Sequence, residues 1–273
     1  MLLLVFGLPL TLPIQINQTV SQALASLLSR LQFREMERRE RFLAVLEDIQ
    51  AAAPNLRRPN FQRLASSDLV ALYHAIDRHF LENSISTTIG EAGHSLSFRV
   101  SQRMTSTGGC TTTRFHPRSS QATFQIAIAG QLLGQTWANQ QTAIVCGVTC
   151  NDMREGLCRI MEHELLHLSE MLVWRDSSCA QPRFKSMAQR LFGHRASKHR
   201  LLTHREVAAK NHGLRPGDTV QFLVDGRQVA GKINRINKRA TVLVPHPKGQ
   251  AYSDGQRYLK YYVPLKMLVK QPR

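Results

Sequence analysis

Along the N-terminal part of the chain, apolar residues recur at three- and four-residue intervals. They then alternate with polar residues, return to the helical interval, and end in alternation again. Val20, Leu24, Leu27, Leu28 and Leu31 form one face of a helical segment predicted over residues 18–52. The Arg/Glu run at 34–41 is its solvated side, and Pro54 and Pro59 close it. Leu69, Leu72, Tyr73, Ile76 and Phe80 predict a second helix over 67–83, capped by Ser66 or Ser67. Leu96, Phe98 and Val100 then alternate, which predicts a strand within 96–104. Gly108-Gly109 turns into a second strand over 110–115, and Phe124, Ile126 and Ile128 mark a third.

A long helix is expected from Asn151-Asp152, both good N-cap types, to Trp174. Leu157, Ile160, Met161, Leu165, Leu168, Met171 and Leu172 keep the helical interval, and Gly156 is the only breaker. After a polar turn at 176–179, Pro182 opens another helix lined by Phe184, Met187, Ala188 and Leu191 and ended by Gly193. The last section changes character. A turn at 213–218 leads to alternating Val220, Phe222 and Val224, an Asp225-Gly226 hairpin signal, and further strands over 229–236, 240–244 and 258–263. The expected class is α+β: helices packed on a short sheet, followed by a small all-β SH3-like barrel. The expected divisions are an N-terminal helical extension (1–60), a central domain (61–206) and the barrel (207–273).

Charge sharpens this division. The net charge of +17 is unevenly spread. Residues 1–182 carry 16 Lys/Arg against 15 Asp/Glu, 183–206 carry 7 against 1, and 207–273 carry 13 against 3. The excess lies almost wholly after the long helix, so a polyanion is the expected partner, nucleic acid before membrane. Within the barrel, Lys232, Arg235, Lys238, Arg239, Lys248, Arg257, Lys260, Lys266 and Lys270 are interleaved with Tyr252, Tyr258, Tyr261 and Tyr262. Lys and Arg neutralise phosphates and Tyr rings stack on unpaired bases; the same rings also serve as packing at a barrel edge.

Cys110, Cys146, Cys150, Cys158 and Cys179 are scattered, with no CxxC pair, so neither a zinc ribbon nor a disulfide framework is indicated, which suits a reducing compartment. The expected location is cytoplasmic, nucleoid-associated in one version, with no stable membrane association. Residues 1–14 are apolar like a signal core, but no Lys or Arg precedes Arg30 and the stretch is too short to span a bilayer as a helix. A buried strand or an overextended start is expected there, with export as the alternative.

His163-Glu164-Leu165-Leu166-His167 lies inside the long predicted helix. Residues four apart share a helix face, so two imidazoles can reach one Zn2+ ion while the Glu between them serves as general base. The alternative is a pair of core histidines bonded to backbone carbonyls with Glu164 paired to an Arg. Burying an ionised carboxylate without a partner is costly, which favours the metal reading.

Together with the helix around Leu72-Tyr73 and Phe80, the Gly108-Gly109-Cys110 hairpin and the helix at Pro182-Arg183-Phe184, this motif resembles the SprT-like zinc metalloprotease family over roughly residues 66–205. The resemblance implies a zincin-like domain in which His163 and His167 bind zinc, Glu164 is catalytic, and a third ligand lies just before the next helix. It further implies a protein substrate associated with or crosslinked to DNA. Two departures stand out. The family's third histidine falls here on Ala180, so Cys179, one residue earlier, is the expected ligand, with His194, His199 and His204 as rivals. A thiolate would make the zinc a poorer Lewis acid than an all-His site. The family's C-terminal zinc ribbon is also replaced, by the basic barrel, which would act as nucleic-acid tether. The competing expectation is a non-catalytic nucleic-acid-binding protein with a closed structural zinc site.

Overall fold

A computed structural model describes residues 12–116, 119 and 121–271, with side chains from Thr19 onward. The chain divides into two compact units, Met1–Leu201 and Leu202–Arg273. The first holds helices α1 (Leu12–Arg30), α2 (Glu35–Ala52), α3 (Ser66–Leu81) and α4 (Ser84–Glu91), then strands β1 (Ser95–Val100), β2 (Gly109–Phe115) and β3 (Ala122–Ile128). It continues with α5 (Gly130–Asn139), the hairpin β4 (Ala143–Val145) and β5 (Val148–Cys150), α6 (Met153–Trp174), and α7 (Pro182–Met187) with a wider turn at Ala188–Phe192. The sheet order is β1-β3-β2, with β1 parallel and β2 antiparallel to β3, so β2 is an edge strand.

α6 is the axis of this unit. Asp152 caps it by accepting from Glu155 N at 2.8 Å, as expected of an Asp at an N-cap. It is buried nearly all round, which is the signature of a central helix. Gly156 is there because Trp137 of α5 crosses at that point: a Cβ would stand within 2.8 Å of the indole Cζ3. One continuous core joins Leu24, Phe42, Leu72, Phe80, Phe124, Leu165 and Phe184. Leu24, Leu28, Phe42, Val45, Ile49 and Leu56 therefore belong to this unit's core, and the described residues before 61 do not form a separate extension.

The helical segment expected over 18–52 is divided between two helices. No Gly or Pro breaks it. Arg190 takes up the carbonyls of Leu28 and Leu31, Phe33 N donates to Arg190 O, and the Phe33 ring packs edge-on against Phe80 at 5.9 Å. Tertiary bonds thus replace the helical ones the chain gives up at the break. Of the apolar stretch 1–14, residues 1–11 lie outside the described residues, and Leu12 opens α1. Among the described residues no helix is long and apolar enough to cross a membrane.

The second unit begins earlier than expected. It starts with α8 (His204–His212), capped by Thr203 and Glu206, because Ala208 and Leu214 pack into its core beside Val220, Phe222, Ile233 and Val242. Then come β6 (Thr219–Val224), β7 (Arg227–Ile236), β8 (Ala240–Ala251), β9 (Arg257–Val263) and β10 (Val269–Lys270). They form one antiparallel sheet, in order β10-β6-β7-β8-β9. The expected closed barrel is corrected to an open sheet: among the described residues β9 and β10 are edges with no pairing between them. The physical reason is that β10 offers only two residues, and both are spent on β6.

Candidate metal centre

His163 and His167 project from one face of α6, and their Nε2 atoms lie 3.1 Å apart. Two nitrogens on one tetrahedral zinc stand about 3.3 Å apart, so the pair is already at ligand spacing. Cys179 joins them: one ligand atom of each of the three lies within 4.8 Å of the others. Nitrogen and sulfur on one zinc stand about 3.6 Å apart, a small adjustment for a half-buried thiol on a turn. The donor set of two imidazoles and one thiolate fits zinc, with a fourth position for water.

The turn that carries Cys179 is held by Arg183. Its Nε donates to Glu170 Oε1 at 2.7 Å, its Nη2 donates to Asp176 O at 3.1 Å, and its guanidinium lies 4.2 Å from the Trp174 ring centre. Glu170, fully buried one turn after His167, accepts from Ser177 Oγ at 2.7 Å, and Ser177 Oγ stands 2.6 Å from His167 Nδ1. The Ser177 proton goes to the carboxylate, so its oxygen accepts from Nδ1–H. That leaves the Nε2 lone pair of His167 facing the metal position. The sequence reading missed this relay. Its signal was Glu170 itself, an acid on the apolar side of a buried helix.

Glu164 points into the same cleft. Its Oε2 accepts from Thr111 Oγ1 at 2.8 Å, and the same hydroxyl is 3.1 Å from the Glu164 carbonyl. β2 runs so close that a Cβ on Gly109 would stand 2.7 Å from Glu164 Cγ and closer still to Oε1. Glycine is required there by contact, beyond the turn signal read from the pair. Burial pushes the Glu164 carboxyl up to about 7, against the lowering effect of the Thr111 hydrogen bonds. Burial, then the neighbouring His199, His167 and His194, pushes His163 down to about 2, and burial also lowers His167. Both imidazoles are therefore neutral near pH 7, the form that binds metal.

The rival ligands fall in different places. His194 is buried against Glu162, with Nε2 2.8 Å from Oε2, and Arg159 holds the same carboxylate at 2.9 Å. His204 opens α8 in the other unit. His199 is buried in the cleft and, with Cys146 and His163, forms a second group within 4.8 Å. That group draws on the inward side of His163, where Cys146 Sγ stands 3.9 Å from Nδ1. Desolvation raises the Cys146 thiol well above its ordinary range. The cleft that gathers His163, Glu164, His167, Cys179 and His199 has a volume of about 700 Å³.

In the second unit the register sorts the basic and aromatic residues. Lys232 lies opposite Leu243 and Leu243 opposite Lys260, while Arg235 lies opposite Thr241 and Thr241 opposite Tyr262. Cross-strand partners share a face, so Lys232, Arg235, Lys260 and Tyr262 present one basic surface, on which Tyr262 is 65 % exposed. Tyr261 points the other way and packs on Phe222 at 5.4 Å. Tyr252 and Tyr258 pack edge-on at 5.3 Å, with Lys260 5.4 Å above Tyr252.

Comparison of the chain with models of protein families, with curated proteins and with solved structures found no match in any of the three.

Proposed function

We propose that the first unit is a zinc-dependent peptidase with the zincin-like arrangement implied by the SprT-like resemblance, and that the basic second unit tethers it to nucleic acid. The observation that carries the reading is the pairing of two Nε2 atoms at ligand spacing with a buried, hydrogen-bonded Glu164 on the same helix. A zinc ion held by His163, His167 and Cys179 would polarise the scissile carbonyl and acidify a water.

The chain's own residues supply the rest. Glu164 accepts the proton of the attacking water and passes it to the leaving amine, a task suited to a carboxyl whose ordinary range has been raised to about 7. β2 offers a free edge along the cleft, where an extended peptide can add as a further strand through main-chain hydrogen bonds. The substrate would thus be an unfolded or extended protein segment, and a DNA-associated or DNA-crosslinked protein is the class the basic unit favours. The five free thiols suit a reducing compartment, such as the cytoplasm. In the sheet of the second unit, a short turn at Leu265–Met267 precedes a two-residue last strand, and this supports an SH3-like path for the chain.

The experiment is Glu164→Gln in the full chain, with zinc content and cleavage of labelled casein measured in parallel, with and without oligonucleotide. Retained zinc with lost cleavage is expected; full cleavage by the variant refutes the assignment. The wholly buried Cys146, His163 and His199 group favours a second reading, a nucleic-acid-binding protein with a closed structural zinc. That reading expects chelator-resistant zinc and no hydrolysis by the unmodified protein.

A further inference from the structure

We propose that His199 is the hydrogen-bond donor to the carbonyl oxygen that becomes negative during peptide hydrolysis, a catalytic residue and not a ligand of the metal. This rests on the peptidase reading above and names a buried group of the cleft that the reading leaves unassigned. His199 lines the cleft and is 8 % exposed, yet its Nε2 has no hydrogen-bond partner among the described residues. A buried polar nitrogen without a partner is costly unless function supplies one. Nε2 stands 3.9 Å from Glu164 Oε1, too far for a hydrogen bond and close enough to share a substrate group with it. The ring sits edge-on to His163 at 4.6 Å, and His199 is not a member of the group that His163 and His167 form with Cys179.

The chain goes to some length to present this ring. Residues before it are tied to the β4–β5 turn by three backbone bonds: Arg195 N and Ala196 N donate to Cys146 O, and Cys146 N donates to Lys198 O. The turn needs glycine at 147, where φ is +76° and a Cβ would stand 2.7 Å from Ala196 N. Arg200, the next residue after His199, is held at φ +46°, a left-handed conformation unfavourable for a side chain of that size. Local strain of this sort persists where surrounding bonds over-determine it, and it clusters at functional positions. On the other side, a Cβ on Gly108 would stand 3.0 Å from His199 Nδ1, so glycine lets the ring lie against the start of β2. A peptide added to the β2 edge would therefore carry its carbonyl between Glu164 and His199.

In the reaction a C–O bond forms between water and the carbonyl carbon, and the water's proton goes to Glu164. The carbonyl π pair moves onto oxygen, where His199 Nε2–H donates to it. The pair returns as the C–N bond breaks, and Glu164 gives the proton to the leaving nitrogen. A preorganised donor at that point is worth about 100- to 1,000-fold in rate.

The test compares wild type, His199→Phe, which keeps the ring volume without a donor, and His199→Gln, which restores an N–H. Zinc content, kcat and KM on labelled casein, and the affinities of a phosphinic peptide and a peptidyl hydroxamate are measured. His199→Phe should keep full zinc, lose about 100-fold or more in kcat with KM nearly unchanged, and bind the phosphinic peptide more weakly while the hydroxamate affinity holds. His199→Gln should recover part of both losses. Loss of zinc from His199→Phe makes His199 a ligand and overturns the proposal; so does unchanged kcat and phosphinate affinity. If Glu164→Gln abolishes cleavage while His199→Phe does not, only this proposal falls. If wild type hydrolyses nothing, the peptidase reading falls with it.

Discussion

Replacing Glu164 by Gln removes a charge that the fold buries under β2, and the consequence for stability follows from the same burial that suits it to the proposed role as general base. Glu164 is 2 % exposed, and its carboxyl is raised from an ordinary 4.5 to about 7, burial outweighing the Thr111 hydrogen bonds. Because the folded value is the higher one, the native state keeps a proton between pH 4.5 and 7 that the unfolded chain releases. The favourable contribution is therefore fully present below 4.5 and lost as pH rises through about 7. The interval from 4.5 to about 7 corresponds to about 3 kcal/mol at pH 8. Gln does not titrate, and its amide oxygen keeps the Thr111 bond, so the metal-free variant should be more stable than metal-free wild type by about 3 kcal/mol at pH 8 and equal to it near pH 4.5. Urea unfolding in EDTA, followed by tryptophan fluorescence, measures this cleanly. The only two tryptophans, Trp137 and Trp174, both belong to the first unit, so the signal ignores the second. A gain of equal size at both pH values, or no gain at pH 8, would refute the burial argument.

Three further outcomes follow from the geometry. Cys179→Ala should abolish tight zinc binding, whereas Ser177→Ala, which breaks the relay from His167 to Glu170, should weaken it about 10- to 100-fold in a chelator competition titration. Gly109→Ala should displace the Glu164 carboxylate and lose most cleavage while zinc content stays full, since the added Cβ meets Glu164 and not a ligand. Lys232→Ala with Lys260→Ala should weaken oligonucleotide binding and reduce the slope of log affinity against log salt by about 1.4 to 1.8, while Tyr262→Ala should weaken single-stranded binding and leave that slope unchanged.

How much of this was legible in the sequence depends on the range of the forces involved. The helix around the metal motif, its Asp152 cap and the three strands before it were readable because cap chemistry and hydrophobic period act over a few residues. α4, α5 and the β4–β5 hairpin were not read. The α1–α2 break carries no Gly or Pro signal because Arg190 and Phe80, remote in sequence, make it. Cys179 was reached through the resemblance to the SprT-like family, as the metal-binding residue next to the position where that family carries its third histidine. The Arg183 bonds that hold its turn over the helix could be seen only once Glu170, Asp176 and Trp174 stood together.

By itself the sequence determined the α+β order, the basic C-terminal section and the pair of imidazoles on one helix face, all of which follow from local periodicity and composition. The tertiary structure decided where the second unit begins, that its sheet stays open, that His194 belongs to Glu162, and that His199 reaches the cleft beside Glu164. The reason is physical. A motif on one helix needs only the pitch of that helix, whereas the partner of a buried histidine is chosen by whichever distant groups the packed core brings within about 3 Å of it.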